Sequence, residues 1–176
     1  MRFSEFDVPE NKLADSAKRM LTRAFEDSRR RNCPLTSELL FIAFTNTNWD
    51  FFAEVMHGLN LNPHQILSDL EKYLKNYQSS SSYISPEAKL ACKIALHRSS
   101  TYGQAIVESA DILAAIFEQK DNMVIRVFEQ NKVSVSFIVS TIYSKLQEEE
   151  LTQERLKKRF ELPQFIKSLG SNLNLL

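Results

Sequence analysis

The sequence predicts an all-α protein: two pseudo-symmetric four-helix repeats packed together, plus a C-terminal linker helix. Three observations carry that expectation. Apolar residues recur at helical spacing, the pattern near the start returns 71 residues later, and no strand signal competes. The chain has 176 residues, enough for one ordinary domain or two small halves sharing a core.

The first helix is expected over 9–31. Leu13, Ala17, Met20, Leu21, Ala24 and Phe25 mark one face of it. Pro9 sits near its start, Asp7 is placed to cap it, and Cys33-Pro34 ends it. Ile84, Ala88, Ala91, Cys92, Ala95 and Leu96 repeat the same offsets, so a copy is expected over 86–100. The match continues at a displacement of 72: Ser37 with Ser109, Leu40 with Ile112, Ala43 with Ala115, Val55-Met56 with Val127-Phe128. Ile66, Leu70 and Leu74 likewise answer Ile138, Ile142 and Leu146. The remaining helices are expected over 37–45, 49–58 and 63–77 in the first copy and 108–118, 122–131 and 135–147 in the second. Thr36 and Asn48 are good N-cap residues, and Asn62-Pro63 and Ser85-Pro86 each give a cap followed by proline in the first turn. The serine run Ser79 to Ser82 reads as a linker between repeats spanning 9–78 and 83–147. Residues 148–176 follow the 1–147 domain as a charged helical linker from Glu148-Glu149-Glu150 onward. The chain stops on Leu175-Leu176 without a cap, which reads as a cut rather than a natural end.

Composition excludes several classes of function. Lys and Arg number 22 against 22 Asp and Glu, so the basic excess of a general nucleic-acid binder is missing. No unbroken apolar stretch exceeds six residues, as in Leu39 to Phe44, so no membrane span is expected. The three glycines, Gly58, Gly103 and Gly170, are too dispersed for a P-loop or a G-x-G-x-x-G turn. Cys33 and Cys92 are too few for a disulfide framework and fit a reducing, cytoplasmic setting. With His57, His64 and His97 they match no structural zinc spacing, and Cys92 falls on the apolar face of its helix. Arg29-Arg30-Arg31 ends the first helix, where cations favour the dipole. No nucleophile–base pair can be written, so the fragment reads as non-catalytic, with no metal and no cofactor of its own.

Two four-helix repeats of about 72 residues resemble the N-terminal domain of Clp (Hsp100) AAA+ unfoldases. The segment Leu35-Thr36-Ser37-Glu38-Leu39-Leu40 is similar to the motif opening the second helix of the family's repeat, keeping its glutamate but not its glycine or histidine. Val107-Glu108-Ser109-Ala110-Asp111-Ile112 lacks the glutamate and looks most like the ClpA branch. The tail Ser171-Asn172-Leu173-Asn174-Leu175-Leu176 resembles the approach to the first AAA+ module of ClpA-type proteins. The resemblance implies a substrate- and adaptor-binding domain whose parent is a hexameric, ATP- and magnesium-dependent unfoldase, with the fragment itself a monomer. It implies a ClpS-type adaptor, unfolded or tagged protein substrates and a ClpP-type peptidase as partners. The alternatives within the family are a ClpC-like domain binding MecA-type adaptors or phosphoarginine-tagged proteins, and a ClpB-like disaggregase domain.

Thr36, Glu38, Leu39, Phe51 and Met123 are the candidate partner- or substrate-binding residues. In ClpC-type relatives the motif glutamate of each repeat receives the guanidinium of phosphoarginine, a task that suits a bidentate carboxylate. Only Glu38 matches; Ala110 stands at the second position, and Glu108 lies about 200° around the helix from it. As a first-turn acid, Glu38 equally favours the positive end of the helix dipole. Phe51 and Met123 occupy equivalent places in the two third helices, turned away from the main apolar stripe, and Leu39 lies off the Leu40/Phe44 face. Such residues either form a partner-binding surface or pack between the halves.

Overall fold

The computed structural model of the chain describes residues 2–77, 83–101, 103 and 106–174, with side chains through 152 and at 154–156. The serine linker Ser79–Ser82, the terminal Leu175-Leu176 pair and the side chains beyond 156 lie outside the described residues.

Two 3-10 turns, Phe3–Phe6 and Glu10–Lys12, precede eight α-helices among the described residues. The first repeat holds α1 (Asp15–Arg31), α2 (Ser37–Thr47), α3 (Trp49–Gly58) and α4 (Pro63–Leu74). The second holds α5 (Pro86–Thr101), α6 (Ser109–Ile116), α7 (Met123–Gln130) and α8 (Val135–Asn174). The chain divides into two units, Met1–Ile142 and Tyr143–Leu176, so residues 135–142 of α8 belong to the first. Within the second unit Lys145 pairs with Glu148 at 3.5 Å, and Leu151 and Leu156 are exposed.

Several caps follow from local chemistry. The Asn62 side chain accepts from the His64 N–H at 2.9 Å, with Pro63 in the first turn. The Ser85 hydroxyl accepts from Ala88 N–H at 3.2 Å, and Asn122 from Ile125 N–H at 2.9 Å. Thr36 and Asn48 occupy their expected N-cap positions, but neither side chain makes the capping bond.

Two helix limits differ most from expectation. The first helix starts at Asp15 rather than 9, and Asp7 does not cap it: its φ of 59° ends the first 3-10 turn instead. Leu13 leaves the helix to form a parallel bridge with Val107, a long-range pairing invisible to local periodicity. The fourth helix of the second repeat does not stop near 147, because the Glu-, Gln-, Lys- and Arg-rich sequence after it has high helix propensity.

The bridges explain how the repeats interlock. Ala14 N–H donates to Val107 O at 2.9 Å and Val107 N–H to Lys12 O at 2.7 Å. A second parallel bridge joins Leu35 to Ile84, with Leu35 N–H on Tyr83 O at 2.7 Å and Ser85 N–H on Leu35 O at 2.9 Å. Leu13 and Ile84 are equivalent under the duplication, as are Leu35 and Val107. Each repeat therefore lends the lead-in of its first helix to the lead-in of the other's second helix.

Between them lies a shared aromatic core. The Phe41 ring of α2 meets Phe52, Phe117 and Phe128 edge-on, at centroid distances of 5.5, 6.1 and 5.8 Å. Phe117 and Phe128 meet each other at 5.2 Å. Such pairs contribute roughly 0.5–1.5 kcal/mol each beyond area burial. Alanines at Ala17, Ala24, Ala88, Ala91 and Ala95, all at 0% exposure, let α1 and α5 lie close to this layer. A clamp closes the first repeat: Arg31 donates to both carboxylate oxygens of Glu71, at 2.6 and 2.7 Å, and to Asp27 at 3.1 Å.

Candidate partner-docking surface

Four of the five residues singled out from the sequence are interior. Thr36, Glu38, Leu39 and Phe51 are 4, 2, 0 and 7% exposed. Met123 is half-buried, its sulfur 3.7 Å from Arg126 Nη1. Of the two readings left open for Leu39 and Phe51, an exposed partner surface or packing in the interior, their burial favours packing. Every residue of α2 from Ser37 to Thr45 is buried, because α2 is the central helix and has no outer face. Phe51 packs edge-on against Phe44 of its own repeat, at 5.7 Å.

Glu38 sits in the first turn of α2, with the Ser37 hydroxyl donating to Oε1 at 3.2 Å and the Tyr77 phenol to Oε2 at 3.3 Å. Among the described residues no lysine or arginine pairs with it. Burial pushes the carboxyl above the usual carboxylate range, while the hydroxyls of Thr36, Ser37 and Tyr77 pull it back. Burial, with the adjacent carboxylate, also pushes the Tyr77 phenol up to about 12. The carboxyl therefore fastens α2 to the chain following α4, and a guanidinium reaching it has to displace Tyr77.

Two concavities of the described surface stand out instead. One, of about 630 Å³, is lined by Glu5, Asp7, Phe25, Arg29, Tyr83, Ile84 and Lys89. It lies beside the Leu35–Ile84 bridge, where the repeats exchange backbone. The Arg29 guanidinium sits 5.9 Å from the Phe25 ring centroid, and Asp7 pairs with Lys93 at 3.4 Å. Tyr83 is 54% exposed. The other, of about 560 Å³, lies between α3 and α4, where Trp49 stacks on His64 at 5.0 Å with His57 nearby.

The outer face of α5 adds apolar surface. Leu90 is 45% exposed, with Ile94 one turn on; their counterparts on α1 are Arg19 and Arg23. Comparing the two copies position by position at outward sites, rather than only at core sites, is the signal that finds them. Among the described residues no group of three His, Cys, Asp or Glu side chains is placed to hold a metal, and both cysteines are buried. No helix among the described residues is long and apolar enough to cross a membrane.

Known structures share this architecture. The Hsp104 N-terminal domain from Candida albicans superposes with a TM-score of 0.64 at 16% identity, covering 74% of this chain and 89% of that one. A chain from structural investigations of a malarial protein secretion system gives 0.61 at 14% identity, covering 78% and 96%. The N-terminal domain of the ClpV1 ATPase from the E. coli EAEC Sci1 T6SS gives 0.58 at 15%, covering 77% and 83%. No curated protein sequence matches the chain. The Clp repeat (R) N-terminal domain matches residues 12–131, nearly the whole of the paired repeats. The chain therefore belongs to the Clp repeat (R) N-terminal domain family.

Proposed function

We propose that this domain docks adaptors and protein substrates for a ClpA-like, ATP-hydrolysing unfoldase that delivers them to a ClpP-type peptidase in the cytoplasm. The observation that supports this reading is the 630 Å³ groove at the repeat junction, which combines aromatic, aliphatic and charged side chains within reach of a partner. Such a mixture suits recognition of a protein segment. A docking domain joined to its ATPase by a tether raises the local concentration of captured protein near the pore. Capture need not be tight, because handover requires release. By the family resemblance the adaptor is of the ClpS type.

Calorimetric titration with the host's ClpS-type adaptor, run beside phosphoarginine, tests the reading. Adaptor binding that survives Glu38→Ala supports it and leaves Glu38 a structural fastener. Phosphoarginine binding that is lost in Glu38→Ala would overturn it in favour of a ClpC-like reader of tagged proteins. Silence from both ligands removes the support for docking.

A further inference from the structure

From Asn32 to Glu71 the chain carries five acidic residues and no lysine or arginine. Of these, Glu38 is buried, Glu71 is held by Arg31, and Asp69 pairs with Lys72 at 3.8 Å. The other two, Asp50 and Glu54, are exposed on α3. Trp49, Ala53 and His57 recur every four residues along that helix and line the 560 Å³ groove, which Leu61, Pro63 and His64 help to complete. Asp50 and Glu54 each lie about 100° around the helix from this stripe. On its other edge Phe52 and Met56 are 1 and 2% exposed, so the acids hold the solvent edge. Trp49 is the chain's only tryptophan. It keeps 37% of its surface exposed, although His64 stacks on it and Phe52 meets it at 5.6 Å.

The second repeat treats the equivalent positions differently. Asp121 stands where Trp49 does and Arg126 where Glu54 does, and the two pair at 2.6 Å, so that surface supplies its own cation. Glu129 and Ser136 replace His57 and His64. In the first repeat an indole and two carboxylates share one side of α3, and no described lysine or arginine lines the groove. An aromatic face beside carboxylates attracts a guanidinium. We propose that this groove takes a basic, apolar segment of a partner protein. An arginine of the segment lies against Trp49, its charge balanced by Asp50 and Glu54, and a neighbouring leucine-sized side chain seats on Ala53, Leu61 and Pro63. The proposal rests on the docking function above and adds to it a second contact, separate from the repeat-junction groove, that selects basic segments.

The test titrates the 176-residue chain with the peptide acetyl-Gly-Leu-Arg-Leu-Pro-Gly-amide, followed by calorimetry and by emission of the single Trp49. A saturable blue shift of that emission is expected. Glu in place of the peptide's Arg weakens binding roughly tenfold, as does Ala in place of both of its Leu residues, and Asp50→Lys weakens it roughly fivefold. Asp50 is on the surface, and a melting curve confirms that the variant is folded; Asp50→Asn reads the same loss without reversing the charge. Equal binding of the Arg and Glu peptides overturns the charge selection. Calorimetric binding that leaves Trp49 emission unchanged puts the peptide elsewhere and overturns the site. No peptide binding while the adaptor still binds overturns the inference and leaves the docking function intact; loss of both removes the docking function too. Emission that shifts with protein concentration alone, alongside a dimer in sedimentation, assigns the groove to a second copy and overturns the partner segment.

Discussion

The two repeats share an interior and differ on their outsides. At core positions the copies exchange like for like: Ala17 and Ala24 answer Ala88 and Ala95, and Leu40 answers Ile112, all at 0% exposure. At outward positions chemistry changes kind. Arg19 and Arg23 on α1 become Leu90 and Ile94 on α5, and Lys12 becomes Tyr83. Packing constrains both copies in the same way, because a shared core tolerates little change in volume. The surface carries no such constraint, so the difference between copies points to where partners are met.

The largest expected effect breaks the shared interior. Phe41→Ala removes the ring that touches three others across the repeats and should cost about 3–5 kcal/mol in urea unfolding. The equivalent Leu113→Ala, at a site 3% exposed, should cost about 2–4 kcal/mol. A Leu113 effect larger than that of Phe41 would place the weight of the core in the second repeat. Next comes the clamp. Arg31→Ala frees Glu71 and leaves Asp27 with Arg30, and its stability loss should be about 1–2 kcal/mol, discounted because Arg31 and Glu71 are partly exposed.

Glu38 sharpens the contrast with Ala110 through pH. Its folded-state pKa is raised by burial, so its favourable contribution is present below the unfolded value and lost as pH rises through the folded one. Glu38→Gln keeps an acceptor oxygen for one of the Ser37 and Tyr77 hydroxyls and turns an N–H to the other, without burying a charge. Its Tm should exceed that of the parent at pH 7, and the gap should close as pH falls through the carboxylate range. A gap independent of pH would show that Glu38 is not being desolvated as an anion. The smallest effect is on the outer face. Leu90→Arg, which installs the first repeat's residue, should change stability by no more than about 0.5 kcal/mol. If adaptor affinity falls nonetheless, in the same calorimetric titration, α5 is part of the docking surface.

The duplication, the helix count and the caps at Asn62 and Ser85 were legible in the sequence because each rests on spacing or on one side chain reaching its own backbone. The start of α1 was not, since Leu13 is taken by Val107 from the other repeat. Nor was the burial of Leu39 and Phe51. A helical wheel sorts residues by one face, and α2 is enclosed on every side. The docking groove was equally hidden, because Tyr83 is far in sequence from Phe25 and Arg29 and the bridge brings them together.

The crossed bridges bear on ancestry and assembly. Each repeat's free backbone edge is satisfied only by the other repeat, so half the domain made alone exposes two lead-ins and the aromatic face around Phe41. Two separate halves carry matching edges. A gene for one repeat would have encoded a self-complementary subunit, stable as a pair, and fusion of two such genes would have freed one outer surface to diverge while its twin stayed polar.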